Sequence, residues 1–191
     1  MNQKDLLGVD WSRIPAPTDD GGARHLAGMA VPPVGLRATD DTMVTLAECD
    51  GRTVVFAYPR TGEPGRIALV EDWDMIPGAR GCTPQTCAFR DLFAELKAAG
   101  ARRVFGLSTQ SNAYQCEMAS RLHLPFPVLS DEKLELTRAL RLPTMAAAGE
   151  TLIKRMALIL DDGCITHVFY PVFPPDRNAS DVLAWLKDNR G

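Results

Sequence analysis

The order in which strand-like and helix-like segments follow one another constrains this chain more than any other feature. Residues 52–58, Arg-Thr-Val-Val-Phe-Ala-Tyr, form a short run suited to a buried strand, and Asp50-Gly51 just before it is a strong turn signal. Residues 42–49 ahead of that turn alternate moderately, and an N-terminal β-hairpin is expected there. From Cys87 onward, Phe89, Leu92, Phe93 and Leu96 recur at helical spacing and stop at Gly100, a good helix C-terminal signal. Residues 103–108 then read as a strand, residues 111–122 as a helix with Tyr114, Met118 and Leu122 on one face, and residues 131–140 as a further helix after Pro125 and Pro127. Residues 155–160 and 164–170 flank the turn Asp161-Asp162-Gly163 as an antiparallel hairpin. Residues 176–189 close the chain as a helix, capped by Asn178 or Ser180, with Val182, Leu183 and Leu186 apolar. Strand, helix, strand, helix, hairpin and a last helix predict an α/β sandwich.

Two segments stand apart from that succession. The first 35 residues hold Pro15, Pro17, Pro32 and Pro33 with the turn-rich Asp19-Asp20-Gly21-Gly22, so residues 1–35 read as an irregular arm laid over a single domain at 36–191. Residues 59–80 carry Gly62, Pro64, Gly65, Pro77 and Gly78 and read as a long loop, and loops of that length usually have a task.

At 191 residues the chain buries about 70% of its unfolded surface and folds without disulfides. With 46% hydrophobic residues, 24% charged and a net charge of −3, it has no basic stripe, which argues against nucleic acid or an anionic membrane as partners. Residues 1–15 lack the continuous apolar core of a signal peptide, and no apolar run approaches the ~18 residues of a membrane span, so a cytoplasmic location is expected. Five cysteines are expected to be reduced at rest in that compartment, and an odd count excludes a fully paired framework.

Cys82 and Cys87 lie where the long loop meets the first helix. Pro84 is well tolerated in a first turn and places the helix start at about Thr83, with Cys82 just outside it or in its first turn, facing the positive end. An ordinary thiol is only about 3% thiolate at pH 7, and a helix N-terminus with a nearby cation enlarges that reactive fraction. Residues five apart in a regular helix have Cα atoms roughly 8–9 Å apart, whereas a disulfide needs them within about 7 Å. A bond between Cys82 and Cys87 therefore requires the first turn to unwind. The same spacing also suits two unrelated thiols, one buried and one capping a helix. Metal-ligand spacing is absent, since His25, His123 and His167 are scattered and no second cysteine pair exists.

Several segments together resemble the peroxiredoxins, specifically the Q-type class first called bacterioferritin-comigratory proteins. The strongest is Gly-Cys-Thr-x-x-x-Cys-x-Phe-Arg-Asp at 81–91, supported by Phe56-Ala57-Tyr58-Pro59, Gly106-Leu107-Ser108, residues 127–131 (Pro-Val-Leu-Ser-Asp) and residues 154–161 (Lys-Arg-Met-Ala-Leu-Ile-Leu-Asp). The match covers roughly residues 34–186. It implies a thioredoxin-like three-layer sandwich and a thiol peroxidase that uses no cofactor or metal. By the same resemblance, Cys82 is the peroxidatic cysteine, Cys87 the resolving cysteine and Arg155 the contact to the bound peroxide. The implied partners are hydrogen peroxide or an organic hydroperoxide and a thioredoxin-like or other thiol reductant, for a monomer or homodimer.

One departure stands out. The family places a Pro seven residues and a Thr or Ser three residues before the peroxidatic cysteine, where this chain has Met75 and Ala79. Reading residues 66–80 as an insertion retains Pro59 and makes Thr61 the nearest source of the hydroxyl, with Thr83 the local alternative; Thr61 equally suits a turn before Gly62. The insertion, with Trp73, Met75 and Ile76 among Glu71, Asp72 and Asp74, reads either as a cover over the thiol pocket or as a packing arm. Arg80 is placed either to assist Arg155 or in solvent. Cys49, Cys116 and Cys164 are expected as small buried hydrophobes, with an exposed Cys116 the one competitor for Cys87. Two other functions fit the fold: a general disulfide oxidoreductase, disfavoured by the four-residue gap between the thiols, and a non-enzymatic redox sensor that keeps the thiols without a peroxide pocket.

Overall fold

The computed structural model describes residues 9–65 and 68–189. Its centre is β3 (Arg52–Ala57), whose last five residues are all buried because both faces and both edges are covered. Val54 and Phe56 point to one core, Val55 and Ala57 to the other, the period-two alternation of a strand between two helical layers. β3 pairs in parallel with β4 (Arg103–Ser108), and β4 with β5 (Val128–Ser130). On its other edge β3 pairs antiparallel with β8 (Met156–Asp161), which continues to β9 (Cys164–Phe169). β1 (Gly35–Ala38) and β2 (Met43–Thr45) extend the far side, giving the order β2-β1-β5-β4-β3-β8-β9.

On one face lie α1 (Cys82–Asp91), α2 (Phe93–Ala98), α3 (Asn112–Arg121) and α5 (Asn178–Asp188). Phe89 of α1 stacks on Phe56 at 4.1 Å between ring centroids, and Met118 and Leu186 fill the same core. The other face is covered by α4 (Glu135–Leu140) through Leu136 and Leu140, together with Ala23, Leu26 and Val31 from the N-terminal segment. The N-terminal segment is tied down further by Asp20, which accepts hydrogen bonds from Lys154 (2.6 Å) and the Tyr170 hydroxyl (2.7 Å). Those two donors hold the Asp20 carboxyl well below the usual carboxylate range. The architecture is the expected thioredoxin-like three-layer sandwich.

Several local expectations change. The N-terminal hairpin is β1–β2, and Asp50-Gly51 does not close it; residues 46–48 form a 3-10 turn and Gly51 only swings the chain into β3, whose edges are taken by β4 and β8. The helix from Cys87 breaks at Leu92 into α1 and α2. α4 starts at Glu135 because the buried Asp131 carboxylate accepts from the Leu136 and Thr137 amides and fixes the preceding turn. Neither Asn178 nor Ser180 caps α5: the Ser180 hydroxyl donates back to the Arg177 carbonyl, and the Asn178 side chain is buried against Gln85. A ribbon of β6 (Thr144–Ala147) and β7 (Glu150–Ile153) was not anticipated, and it supplies the platform for the long loop. Trp73 and Ala79 pack there on Ala147 and Leu152, with Leu69 and Ile76 beside them.

The β8–β9 turn depends on Gly163, at φ +74°, where an added Cβ would lie 2.4 Å from the Ala47 carbonyl oxygen. Gly163→Ala is expected to lose roughly 2–4 kcal/mol of stability in urea denaturation, from strain and a backbone clash together.

Candidate functional site

Cys82 is the first residue of α1, preceded by Gly81 in the left-handed region at φ +103°. No side chain caps this helix start, so the sulfur sits beside open backbone N–H groups and the positive end of the helix dipole. It is only 2% exposed and forms part of the floor of a cavity of about 330 Å³. Its lining includes the charged Arg60 and Arg80 and the apolar Leu69, Trp73 and Pro84. The loop of residues 68–80 therefore walls the thiol pocket as well as packing on β6–β7, which combines the two readings of the insertion.

Arg155, immediately before β8, reaches the sulfur from the sheet. Its Nη2 lies 3.2 Å from Cys82 Sγ and also donates to the carbonyls of Gly78, Ala79 and Arg80 at 3.2, 3.2 and 2.9 Å. Nη1 donates to Gln85 Oε1, and Gln85 in turn donates its amide to Asn178 Oδ1 at 2.9 Å. Arg155 is 2% exposed, and no carboxylate among the described residues pairs with it. A guanidinium stays charged at any accessible pH, so the group within reach able to supply a matching negative charge is the Cys82 sulfur. A second donor, the Arg60 backbone N–H, lies 3.4 Å from the same sulfur. Two N–H groups on one sulfur, at a helix N-terminus beside an unpaired cation, stabilise a thiolate and also suit an oxygen bonded to it.

Cys87 lies one and a half turns further along α1, 6% exposed, within the apolar core. Burial pushes its thiol up, and the nearby Arg90 only partly offsets this. Both thiols are free in this state, and α1 is continuous between them. Thr61 is buried and lines the pocket, but its hydroxyl and amide both donate to Gln110 Oε1, at 3.1 and 2.9 Å, not to Cys82. Thr83 is buried in the first turn and lines the same cavity. The Arg80 side chain pairs with Asp74, while its carbonyl serves Arg155. Cys49 is buried as expected, whereas Cys116 and Cys164 are half-buried; Cys116 contacts Asn112 and the Thr39 carbonyl.

The Redoxin family model matches residues 26–185 of this chain. The chloroplastic peroxiredoxin Q of Oryza sativa subsp. japonica is 32% identical over 162 residues, 84% of this chain and 66% of that protein. That of Sedum lineare is 30% identical over 167 residues, 86% of this chain and 80% of that protein. The chain belongs to the Q-type peroxiredoxins of the Redoxin family. Peroxidoxin BcpB from Mycobacterium tuberculosis superposes with a TM-score of 0.68 at 26% identity, covering 86% of this peroxiredoxin and 98% of that one. The chain thus spans about two thirds of the length of the rice relative and nearly all of the mycobacterial one.

Sequence reasoning missed several residues that shape the pocket of this Q-type chain. Gln85 and Asn178 lie 93 residues apart, and nothing in spacing joins them. Gln110 fixes the Thr61 loop, and the Tyr114 hydroxyl donates to the Thr61 carbonyl at 3.0 Å while its ring lies under the Arg60 guanidinium. The Tyr58 hydroxyl is fully buried without a hydrogen-bond partner, and burial, followed by the neighbouring Cys82 and Tyr114, pushes it well above the usual phenol range. It signals only through the Tyr-Pro pair at the end of β3.

Two measurements check this geometry. Arg155→Met is expected to slow iodoacetamide alkylation of Cys82 at pH 7 roughly ten- to a hundredfold by mass spectrometry, the equivalent of about 1.5–3 kcal/mol for a charge-assisted hydrogen bond. In Cys82→Ser, alkylation of the buried Cys87 is expected to have its midpoint above the ordinary thiol value of about 8.5, because its folded-state thiol is raised.

Proposed function

We propose that this chain is a thiol peroxidase for hydrogen peroxide and organic hydroperoxides, with Cys82 as nucleophile and Cys87 as resolving thiol. The observation that carries the reading is the buried Arg155 guanidinium, without a carboxylate partner among the described residues and 3.2 Å from the Cys82 sulfur. The Cys82 thiolate attacks one peroxide oxygen, an S–O bond forms as the O–O bond breaks, and the other oxygen leaves and is protonated to water or alcohol. Arg155 Nη2 and the Arg60 N–H lie where they stabilise charge moving from sulfur to oxygen. The sulfenic acid then condenses with the Cys87 thiol, releasing water and forming a disulfide, which a thioredoxin-like or other thiol reductant reopens with two electrons. Thr61 shapes the pocket through its hold on Gln110 rather than by a bond to the sulfur.

The 330 Å³ cavity exceeds what hydrogen peroxide needs, and the apolar Leu69, Trp73 and Pro84 in its lining suit the body of an organic hydroperoxide. A cytoplasmic setting, in which five free thiols stay reduced between turnovers, belongs to the same proposal. A non-enzymatic redox sensor is the second reading, favoured by the commitment of the Thr61 hydroxyl to Gln110; it requires peroxide to oxidise Cys82 no faster than free cysteine.

Peroxide-dependent NADPH consumption through thioredoxin and its reductase is expected to fall to background in Cys82→Ser. Cys87→Ser is expected to give one equivalent of sulfenic acid per chain and then stop. Full turnover by Cys82→Ser overturns the assignment. Trp73→Ala is expected to raise KM for cumene hydroperoxide several-fold with little change for hydrogen peroxide.

A further inference from the structure

The N-terminal segment reaches the thiol site from behind. The Trp11 ring and Pro175 enclose the Gly81 backbone: a Cβ on Gly81 would lie 2.7 Å from Trp11 Cη2 and 2.5 Å from Pro175 Cγ. Trp11 is itself fixed, since its indole N–H donates to Asp176 Oδ2 at 2.8 Å and its ring meets Phe173 edge-on at 6.1 Å. Further along the segment, Pro17 lies against Gly78, beside a small cavity that Arg155 also lines. Gly81 is the residue before Cys82, and its carbonyl accepts the Gln85 N–H at 3.0 Å, the bond that closes the first turn of α1. Indole, proline and glycine thus hold the one stretch of backbone that must move for Cys82 to reach Cys87.

We propose that Trp11 is a positioning residue of the peroxidase site: by clamping Gly81 against Pro175 it keeps Cys82 facing Arg155 and sets the cost of melting the first turn of α1. The inference rests on the thiol-peroxidase reading for its chemical consequence. Once Cys82 is a sulfenic acid, two reactions compete. In one the turn melts, the Cys87 thiol attacks the Cys82 sulfur, an S–S bond forms and water leaves. In the other a second hydroperoxide oxidises the sulfenic acid to the sulfinic acid and is itself reduced to water or alcohol. A tight clamp lengthens the life of the sulfenic acid and favours the second path; a loose one favours the disulfide. Trp11 and Asp176 touch neither the sulfur nor Arg155 through any hydrogen bond described above, so their loss acts on the turn.

The test is amide hydrogen exchange of the reduced full-length protein, read at Gln85, Thr86 and Cys87, in wild type, Trp11→Ala, Trp11→Phe and Asp176→Ala. Exchange at these amides is expected to quicken roughly tenfold or more in Trp11→Ala, and to quicken by less in Asp176→Ala and in Trp11→Phe, which keeps an aromatic ring but loses the indole N–H to Asp176 and Cη2 over Gly81, with β3 and β4 amides unchanged. In parallel, the sulfinic fraction of Cys82 under excess hydrogen peroxide is expected to drop several-fold in Trp11→Ala, with the disulfide rising to match. Unchanged exchange in the first turn overturns the proposal. So does faster exchange spread equally over β3 and β4, which marks Trp11 as a general stability contact. Exchange needs no peroxide, so a protein inert toward peroxide overturns the function proposed above while the clamp is still decided by these amides and by the rate at which diamide oxidises Cys82 and Cys87 to a disulfide.

Discussion

A guanidinium buried with no carboxylate partner among the described residues is the constraint around which this molecule is arranged. Arg155 is held by three consecutive carbonyls, by Gln85 and by the Cys82 sulfur. Carbonyls and an amide oxygen take hydrogens of its two Nη groups, leaving the buried Nε–H without a partner, and bring no net charge; the transfer of an unmatched cation from water is among the most costly events in folding. Among its described hydrogen-bond partners, the Cys82 sulfur is the ionisable group. The sheet contributes the cation from just before β8, and a second positive field comes from the N-terminal end of α1. The sulfur is where these two fields meet, which is why a residue so little exposed is the one proposed as the nucleophile.

The same enclosure opposes the second half of the chemistry. A continuous helix keeps two thiols five residues apart from bonding, and both are buried. The second half of α1 is anchored by the stack of Phe89 on Phe56 at 4.1 Å, so the mobile part must be the first turn. That turn has no side-chain cap, begins at a left-handed glycine, and is held by contacts from distant segments. Local melting at a helix start costs far less than global unfolding, and the contacts made there decide how much less.

Much of the framework was legible because apolar periodicity reports burial directly. The two-sided run of residues 52–58, the spacing of Phe89 and Leu96, and Asp162-Gly163 between β8 and β9 each carry their own local cause. The errors lie where a local signal was outbid by a distant partner. Asp50-Gly51 is a good hairpin turn, yet β3 has better edges in β4 and β8. Asn178 is a good cap, yet its amide oxygen is needed by Gln85 in the interior. Thr61 is a hydroxyl near a cysteine in sequence terms, yet Gln110 takes it.

By itself the sequence determined a thiol at a helix start with a second five residues on, the strand that follows Arg155, and the fold class, because each follows from spacing, turn chemistry and hydrophobic period within a short window; the roles assigned to those thiols came from the family resemblance. Only the tertiary structure decided which way each polar group points. That Gln85 and Asn178 hold Arg155, that residues 68–80 wall the pocket against β6–β7, and that Trp11 lies on Gly81 are all contacts between residues about 70 or more positions apart. Such contacts are set by how two sheet faces and a loop close over one another, and a hydrogen bond satisfied across that distance leaves no period in the chain to read.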